Sequence, residues 1–208
     1  GTGPMPAVAE LARTRLPFAE ARTLPGSVYT SDEVFRLEQQ ALFGCSWLCV
    51  GRAQDLPGAG DFFVQAIAGD SVIVMRGADG NIRAFYNVCR HRGSRLLAEP
   101  RGSGLKRVLC PYHSWSYELD GRLQAAPQMP ADFPAGSHGL GPVRLGIHEG
   151  FIFLNLDDSA PPLEQHLADL PDLSRFRMAD LRCGRRIEYE VAANWKFICE
   201  NYSECYHC

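Results

Sequence analysis

The sequence predicts a mainly β fold, a small antiparallel barrel or sandwich with two projecting hairpin loops, followed by the beginning of an α+β region. Three observations carry that expectation. Short, partly alternating apolar runs fill the middle of the chain, as half-buried strands require. Asp79-Gly80 and Asp120-Gly121 separate such runs, and glycine accepts the positive φ of a tight hairpin turn. After residue 156 the composition shifts to Asp157-Asp158-Ser159-Ala160-Pro161-Pro162, a boundary beyond which helical patterns return.

Of the 208 residues, 46% are hydrophobic, enough for one full core and part of another. A net charge of −3 gives no case for nucleic acid or an anionic membrane. No apolar run approaches the roughly eighteen residues of a membrane span; the best candidate, 151–156, is far too short. The first residues lack a basic stretch followed by an apolar one, so they do not read as a signal peptide, and Met5 reads as the natural start. A cytoplasmic protein is expected, and there eight cysteines point to metal ligands and free thiols rather than disulfides. Cys45, Cys49, Cys183 and Cys199 are not paired with histidines and read as small hydrophobes.

In chain order, the first thirty residues are rich in Pro, Ala and Arg without a firm period. Thr30-Ser31-Asp32-Glu33 has the form of a capping box, Thr30 facing Glu33. Val34, Leu37 and Ala41 then give one helix an apolar stripe, ending near Phe43-Gly44. Strands are expected over 47–51, 61–67, 71–76, 82–88, 107–109, 115–119 and 151–156. Pro57-Gly58-Ala59-Gly60, Gly102-Ser103-Gly104 and Gly139-Leu140-Gly141 read as turns, because none is completed into a dinucleotide-binding fingerprint. Electrons, if the protein uses them, come from another protein. A short helix over 163–170, stopped by Pro171, and a strand over 186–191 follow. Three parts result: 1–44 with one helix, a strand-rich domain over 45–157, and 158–208.

The densest chemistry lies in 89–115. Cys89-Arg90-His91-Arg92-Gly93 opens this stretch and Cys110-Pro111-Tyr112-His113-Ser114-Trp115 closes it, with eighteen residues between His91 and Cys110. Two loops that each give one thiolate and one imidazole can hold metal. Two readings follow from the residues alone: a tetrahedral Zn2+ site, or a [2Fe-2S] cluster with two thiolates on one iron and two histidines on the other, at a potential of roughly −150 to +300 mV. Zinc sites more often pair Cys with Cys and His with His.

These motifs, with Ser46-Trp47, Asn87-Val88 and Leu119-Asp120-Gly121-Arg122-Leu123 around them, closely resemble the Rieske domain of Rieske non-haem iron oxygenases. Respiratory Rieske proteins carry an extra cysteine in each loop, joined as a disulfide; Ser94 and Tyr112 stand at the corresponding places here. By the resemblance, Cys89, His91, Cys110 and His113 bind the [2Fe-2S] cluster. Arg90, Arg92 and Arg95 read either as solvated charges or as a dock for an acidic electron donor.

The last fifteen residues are expected to be helical, with Glu204 and His207 on one face. Asn194-Trp195-Lys196 through Glu200-Asn201-Tyr202-Ser203-Glu204-Cys205-Tyr206-His207-Cys208 resembles the opening of the oxygenases' mononuclear iron motif. That match makes His207 an Fe(II) ligand and Glu204 a bridge for electrons towards a cluster histidine of a neighbouring subunit. Glutamate at the bridge, where Asp is usual, resembles the branch oxidising quaternary ammonium compounds such as carnitine, choline and glycine betaine. A two-histidine, one-carboxylate site needs further ligands, which in the family lie beyond residue 208. The resemblance thus implies the N-terminal portion of an oxygenase alpha subunit, homotrimeric, with O2 as co-substrate, a flavin/iron-sulfur reductase as partner and a small-molecule substrate. An aromatic-ring hydroxylating dioxygenase and a Rieske ferredoxin-like electron carrier are the alternatives. Cys205 and Cys208 could also form half of a redox or zinc site; His138, His148 and His166 read as ordinary surface or core residues.

Overall fold

A computed structural model describes residues 8–204. The helices are α1 (Val8–Ala12), α2 (Ser27–Thr30), α3 (Asp32–Glu38), α4 (Leu163–His166) and α5 (Trp195–Ser203). The strands are β1 (Leu48–Arg52), β2 (Phe62–Ile67), β3 (Asp70–Arg76), β4 (Ile82–Tyr86), β5 (Arg101–Gly102), β6 (Val108–Leu109), β7 (Ser116–Tyr117), β8 (Leu123–Ala125), β9 (Pro142–His148) and β10 (Phe151–Asn155). The chain divides into two compact units. One runs from Leu42 to Arg182; the other draws on both ends of the chain, up to Ala41 and from Cys183.

The strand-rich unit carries a seven-stranded antiparallel sheet in the order β1-β10-β9-β4-β3-β2-β5 and a three-stranded sheet in the order β6-β7-β8. β3 lies near the middle of the large sheet and is buried on both faces, so Val72-Ile73-Val74-Met75 is uninterrupted apolar sequence. Side-chain alternation then builds two cores. Val72, Val74, Ala84, Ile152 and Leu154 pack on one face, and Ile73, Met75 and Phe85 pack with Trp115, Tyr117 and the sulfurs of Cys89 and Cys110 on the other. Among turns, Gly60 has φ +82° and no room for a side chain, since a Cβ there would lie 2.0 Å from the Leu105 carbonyl oxygen.

In the other unit the helix cap falls one residue later than the capping-box pattern suggests. Ser31 caps α3, accepting from the Val34 amide at 3.4 Å, whereas Thr30 ends α2 and its hydroxyl donates to the Gly26 carbonyl. Residues 186–191 form no strand: Ile187, Tyr189 and Val191 alternate in sequence but are all more than half exposed, and no strand pairs with them. Alternation marks a face only where a partner covers it. α5 stops at Ser203, whose hydroxyl donates to the Cys199 carbonyl at 2.8 Å, a back-bond that weakens a helix's last turn. Glu204 caps the helix in an extended conformation; the face it was expected to share with His207 involves residues outside those described. Among the described residues no helix is long and apolar enough to cross a membrane.

Candidate metal centre

Two tight loops bring the four donors together. The first leaves β4 and the second joins β6 to β7, and both close in the same way. The Cys89 amide donates to the Ser94 carbonyl and the Gly93 amide to the Cys89 carbonyl, at 2.8 and 3.0 Å. Likewise the Cys110 amide donates to the Trp115 carbonyl and the Ser114 amide to the Cys110 carbonyl, at 2.8 and 3.1 Å. Each turn needs a left-handed residue four places after its cysteine: Gly93 has φ +70° and Ser114 φ +61°.

Asn87 clamps the mouth of the first loop. It is 3% exposed; its carbonyl oxygen accepts from the Leu96 and Leu97 amides, and its amide donates to the Leu97 carbonyl and the Ser71 hydroxyl.

Within this frame like donors face like. The Cys89 and Cys110 thiols are buried and interact directly, while the His91 and His113 rings meet edge-on with centroids 4.8 Å apart. Each loop thus gives one Cys and one His, but folding sorts them into a sulfur pair and a nitrogen pair. Among the described residues no three His, Cys, Asp or Glu are grouped as around one ion.

The electrostatics differ between the two thiols. Burial pushes the Cys89 thiol up, with the Tyr117 hydroxyl opposing it. Burial also works against ionisation of Cys110, but the His113 and Tyr112 amides, with the Cys89 and Ser94 side chains, more than offset it and hold that thiol below its usual value. Tyr117 sits 3.3 Å from the Cys89 sulfur and accepts the Arg90 amide at 3.0 Å. Burial, then Cys89, holds the Tyr117 hydroxyl well above the usual phenol range. His91 is depressed by desolvation first and then by His113 and Arg92. Its ring stacks on Trp115 at 4.8 Å and 8°, and His113 carries the exposed ring of Tyr112 at 3.8 Å.

His113 Nδ1 is buried without any hydrogen-bond partner, a state that costs roughly 1–3 kcal/mol and that a bond to metal would relieve. Two adjacent thiols, two adjacent imidazoles and one orphaned imidazole nitrogen suit a cluster asking two protein ligands of each iron.

Of the remaining residues singled out in the sequence, Glu204 is exposed at the end of α5. His207, Cys205 and Cys208 lie outside the described residues. Arg90, Arg92 and Arg95 are exposed beside the donors. His138 packs on Phe133 and Trp115, a second layer behind the His91 stack. Sequence reasoning missed the roles of Asn87 and Tyr117; their only signal was a place in apolar strand runs that a polar side chain should avoid unless it is bonded.

Comparison with known proteins agrees with this geometry. Residues 46–144 match the Rieske [2Fe-2S] domain, and residues 178–208 match the catalytic domain of the ring hydroxylating alpha subunit. In these two segments the chain is similar to the alpha subunits of Rieske oxygenases. It is 43% identical to the glycine betaine monooxygenase oxygenase subunit of Chromohalobacter salexigens, covering 89% of this chain and 42% of that protein. It is 39% identical to the carnitine monooxygenase oxygenase subunit of Escherichia coli strain K12, over 91% of this chain and 52% of the relative. The solved apo structure of a quaternary ammonium Rieske monooxygenase superposes with a TM-score of 0.80 at 36% identity, over 89% of this chain and 55% of the other. The chain therefore spans about half the length of the relatives it matches.

Proposed function

We propose that this Rieske chain is the electron-accepting portion of an oxygenase that hydroxylates an N-methyl group of a quaternary ammonium compound, releasing formaldehyde. The observation carrying it is the sorted pair of thiols and pair of imidazoles with an orphaned His113 Nδ1. The names of the relatives, glycine betaine and carnitine monooxygenase subunits, support the substrate class.

Cys89 and Cys110 would hold one iron of a [2Fe-2S] cluster, and His91 and His113 the other. When bound, the cluster supplies one-electron transfer, and a mononuclear iron supplies activation of O2. The chain's own residues prepare the first of these. Tyr117 directs its hydroxyl at the Cys89 sulfur while accepting the Arg90 amide, Trp115 fixes the plane of His91, and the two closed turns hold the donors in place before metal arrives. His207 would be an iron ligand and Glu204 the carboxylate that reaches a neighbouring subunit's cluster histidine, which makes a homotrimer the fitting assembly. In this reading 1–44 is an N-terminal segment, 45–157 the cluster domain and 158–208 the opening of the catalytic domain. Exposed Arg90, Arg92 and Arg95 would receive an acidic flavin/iron-sulfur reductase in the cytoplasm.

A second reading, hydroxylation of an aromatic ring, draws on 33% identity to the biphenyl 2,3-dioxygenase alpha subunit of Rhodococcus jostii. Turnover of the full-length oxygenase with reductase and glycine betaine or carnitine separates the two. Formaldehyde formed in step with O2 consumed is expected. No formaldehyde, with diol formed from an aromatic substrate, would reverse the assignment.

A further inference from the structure

The plane of His91 is set from further away than its own loop. Trp115 stacks on the His91 ring at 4.8 Å and 8° and is only 2% exposed. The backbone of Trp115 is fixed, since its carbonyl accepts the Cys110 amide at 2.8 Å. No polar bond fixes its ring, because Nε1 is buried without a hydrogen-bond partner. The tilt of the indole, and through it that of the imidazole, therefore rests on the side chains packed around it.

Two of these are rings from the connection between β8 and β9. Phe133 meets Trp115 nearly at right angles, at 5.4 Å and 72°, and His138 does the same at 6.1 Å and 73°. Both lie within the roughly 4.5–7 Å that favours edge-to-face aromatic pairs. They also pack on each other at 4.5 Å, so each supports the other against the indole. The connection is itself anchored. His138 Nδ1 lies 2.9 Å from the Pro134 carbonyl and 3.1 Å from the Ser137 hydroxyl. The Phe133 amide donates to the Pro130 carbonyl at 3.0 Å, and the Leu140 amide to the Gly121 carbonyl at 2.8 Å.

We propose that Phe133 and His138 are positioning residues for the candidate cluster, acting through Trp115 on the plane of His91. The proposal rests on the reading of His91 as a cluster ligand. An imidazole nitrogen binds metal through a lone pair in the plane of its ring, so a change of tilt weakens the bond even where the nitrogen keeps its place. Residues that orient a ligand from behind change metal affinity by about 10–100-fold when removed.

The test uses the full-length oxygenase with its cluster, carrying His138→Gln, His138→Phe or Phe133→Leu. Iron loss to a chelator is timed, and the EPR g-values and line widths of the reduced cluster are recorded beside the thermal midpoint. His138→Gln keeps a polar side chain but removes the ring. It is expected to speed iron loss by about tenfold, the low end of that range, and to broaden the EPR lines as His91 samples more tilts. Phe133→Leu, which also removes a ring, should repeat both effects. His138→Phe keeps a ring and should match wild type.

Wild-type iron loss and g-values in His138→Gln or Phe133→Leu would overturn the proposal, and a lowered thermal midpoint alone would mark the pair as ordinary core. A His138→Phe variant as defective as His138→Gln would also overturn it, since the effect would then belong to the Nδ1 contacts of the loop. Should one of the two ring-deleting variants fail to fold, the other decides. A wild-type protein without a [2Fe-2S] EPR signal would refute the ligand reading itself, a result distinct from variants that match a cluster-bearing wild type.

Discussion

At the scale of single residues, the two loops show how the same turn is met by different side chains. Gly93 takes its left-handed conformation freely, while Ser114 adopts the same region with a Cβ, at roughly 1–2 kcal/mol. Ser114→Gly should therefore raise stability by about 0.5 kcal/mol, the strain relieved less the roughly 0.5–1 kcal/mol of backbone entropy that glycine adds. Gly93→Ser should lower it by a similar amount or more, since a Cβ there meets only Val88, at 4.0 Å, and the strain is purely in the backbone. Urea unfolding of both variants checks the opposite signs; equal signs would undo the equivalence of the turns. Tyr117 belongs to the same scale. A hydrogen bond to a cluster sulfur favours the reduced, more negative state, so Tyr117→Phe should lower the potential by on the order of 50 mV, given about 60 mV per tenfold for one electron. A redox titration followed by circular dichroism reads this, and an unchanged potential would remove the tyrosine from the set of tuning groups.

Elements were legible in the sequence to the degree that each is specified by its own residues. The Asp79-Gly80 turn joins β3 to β4 where expected, and its chemistry is local: Asp79 accepts from Arg83 twice, at 2.9 and 2.7 Å, and from the Asn81 amide at 3.1 Å. Those bonds, Arg83 first and Asn81 next, hold the Asp79 carboxyl far below the usual carboxylate range. Because the folded value is depressed, the contribution is present above the unfolded value near pH 3.9 and is lost as pH falls from there towards the folded value. Thermal melts of wild type and Asp79→Asn should accordingly differ most near neutrality, with the gap beginning to close only below about pH 4. A gap that is constant from pH 7 to 3 would rule out the charge as its origin. β9 escaped the sequence reading for the converse reason. Pro142, Arg144 and Gly146 break its pattern, and it is a strand because β10 and β4 pair with both of its edges. The four donor residues could be read from spacing, but their sorting into sulfur and nitrogen pairs depends on where two distant hairpins meet, which no local pattern encodes. The roles of Tyr117 and Asn87 were hard to read on the same grounds: each bonds partners nine or more positions away in the sequence.

For the whole molecule, the division into units bears on what can fold alone. Both hydrophobic cores, from Leu56 to Leu154 and from Phe62 to Leu140, lie wholly between Leu42 and Arg182, and so do the ten strands of the described residues and the four candidate donors. The other unit joins residues from opposite ends of the sequence; Glu38 and Lys196 are 158 positions apart. Closing so long a separation is an entropic cost that the folded strands must already have met. A fragment of residues 42–182 should therefore unfold cooperatively and, after anaerobic reconstitution, carry two irons and two sulfides, as a lone [2Fe-2S] cluster requires. Deleting 183–208 from the longer chain should leave that signature intact while removing the partners of Tyr29 and Glu38, so that amides of 27–38 lose their protection from hydrogen exchange. The outcome that would sink this view is a 42–182 fragment that collapses without a cooperative transition, for then the cluster domain would depend on the helices at the chain ends and could not have been the independent carrier of its own chemistry.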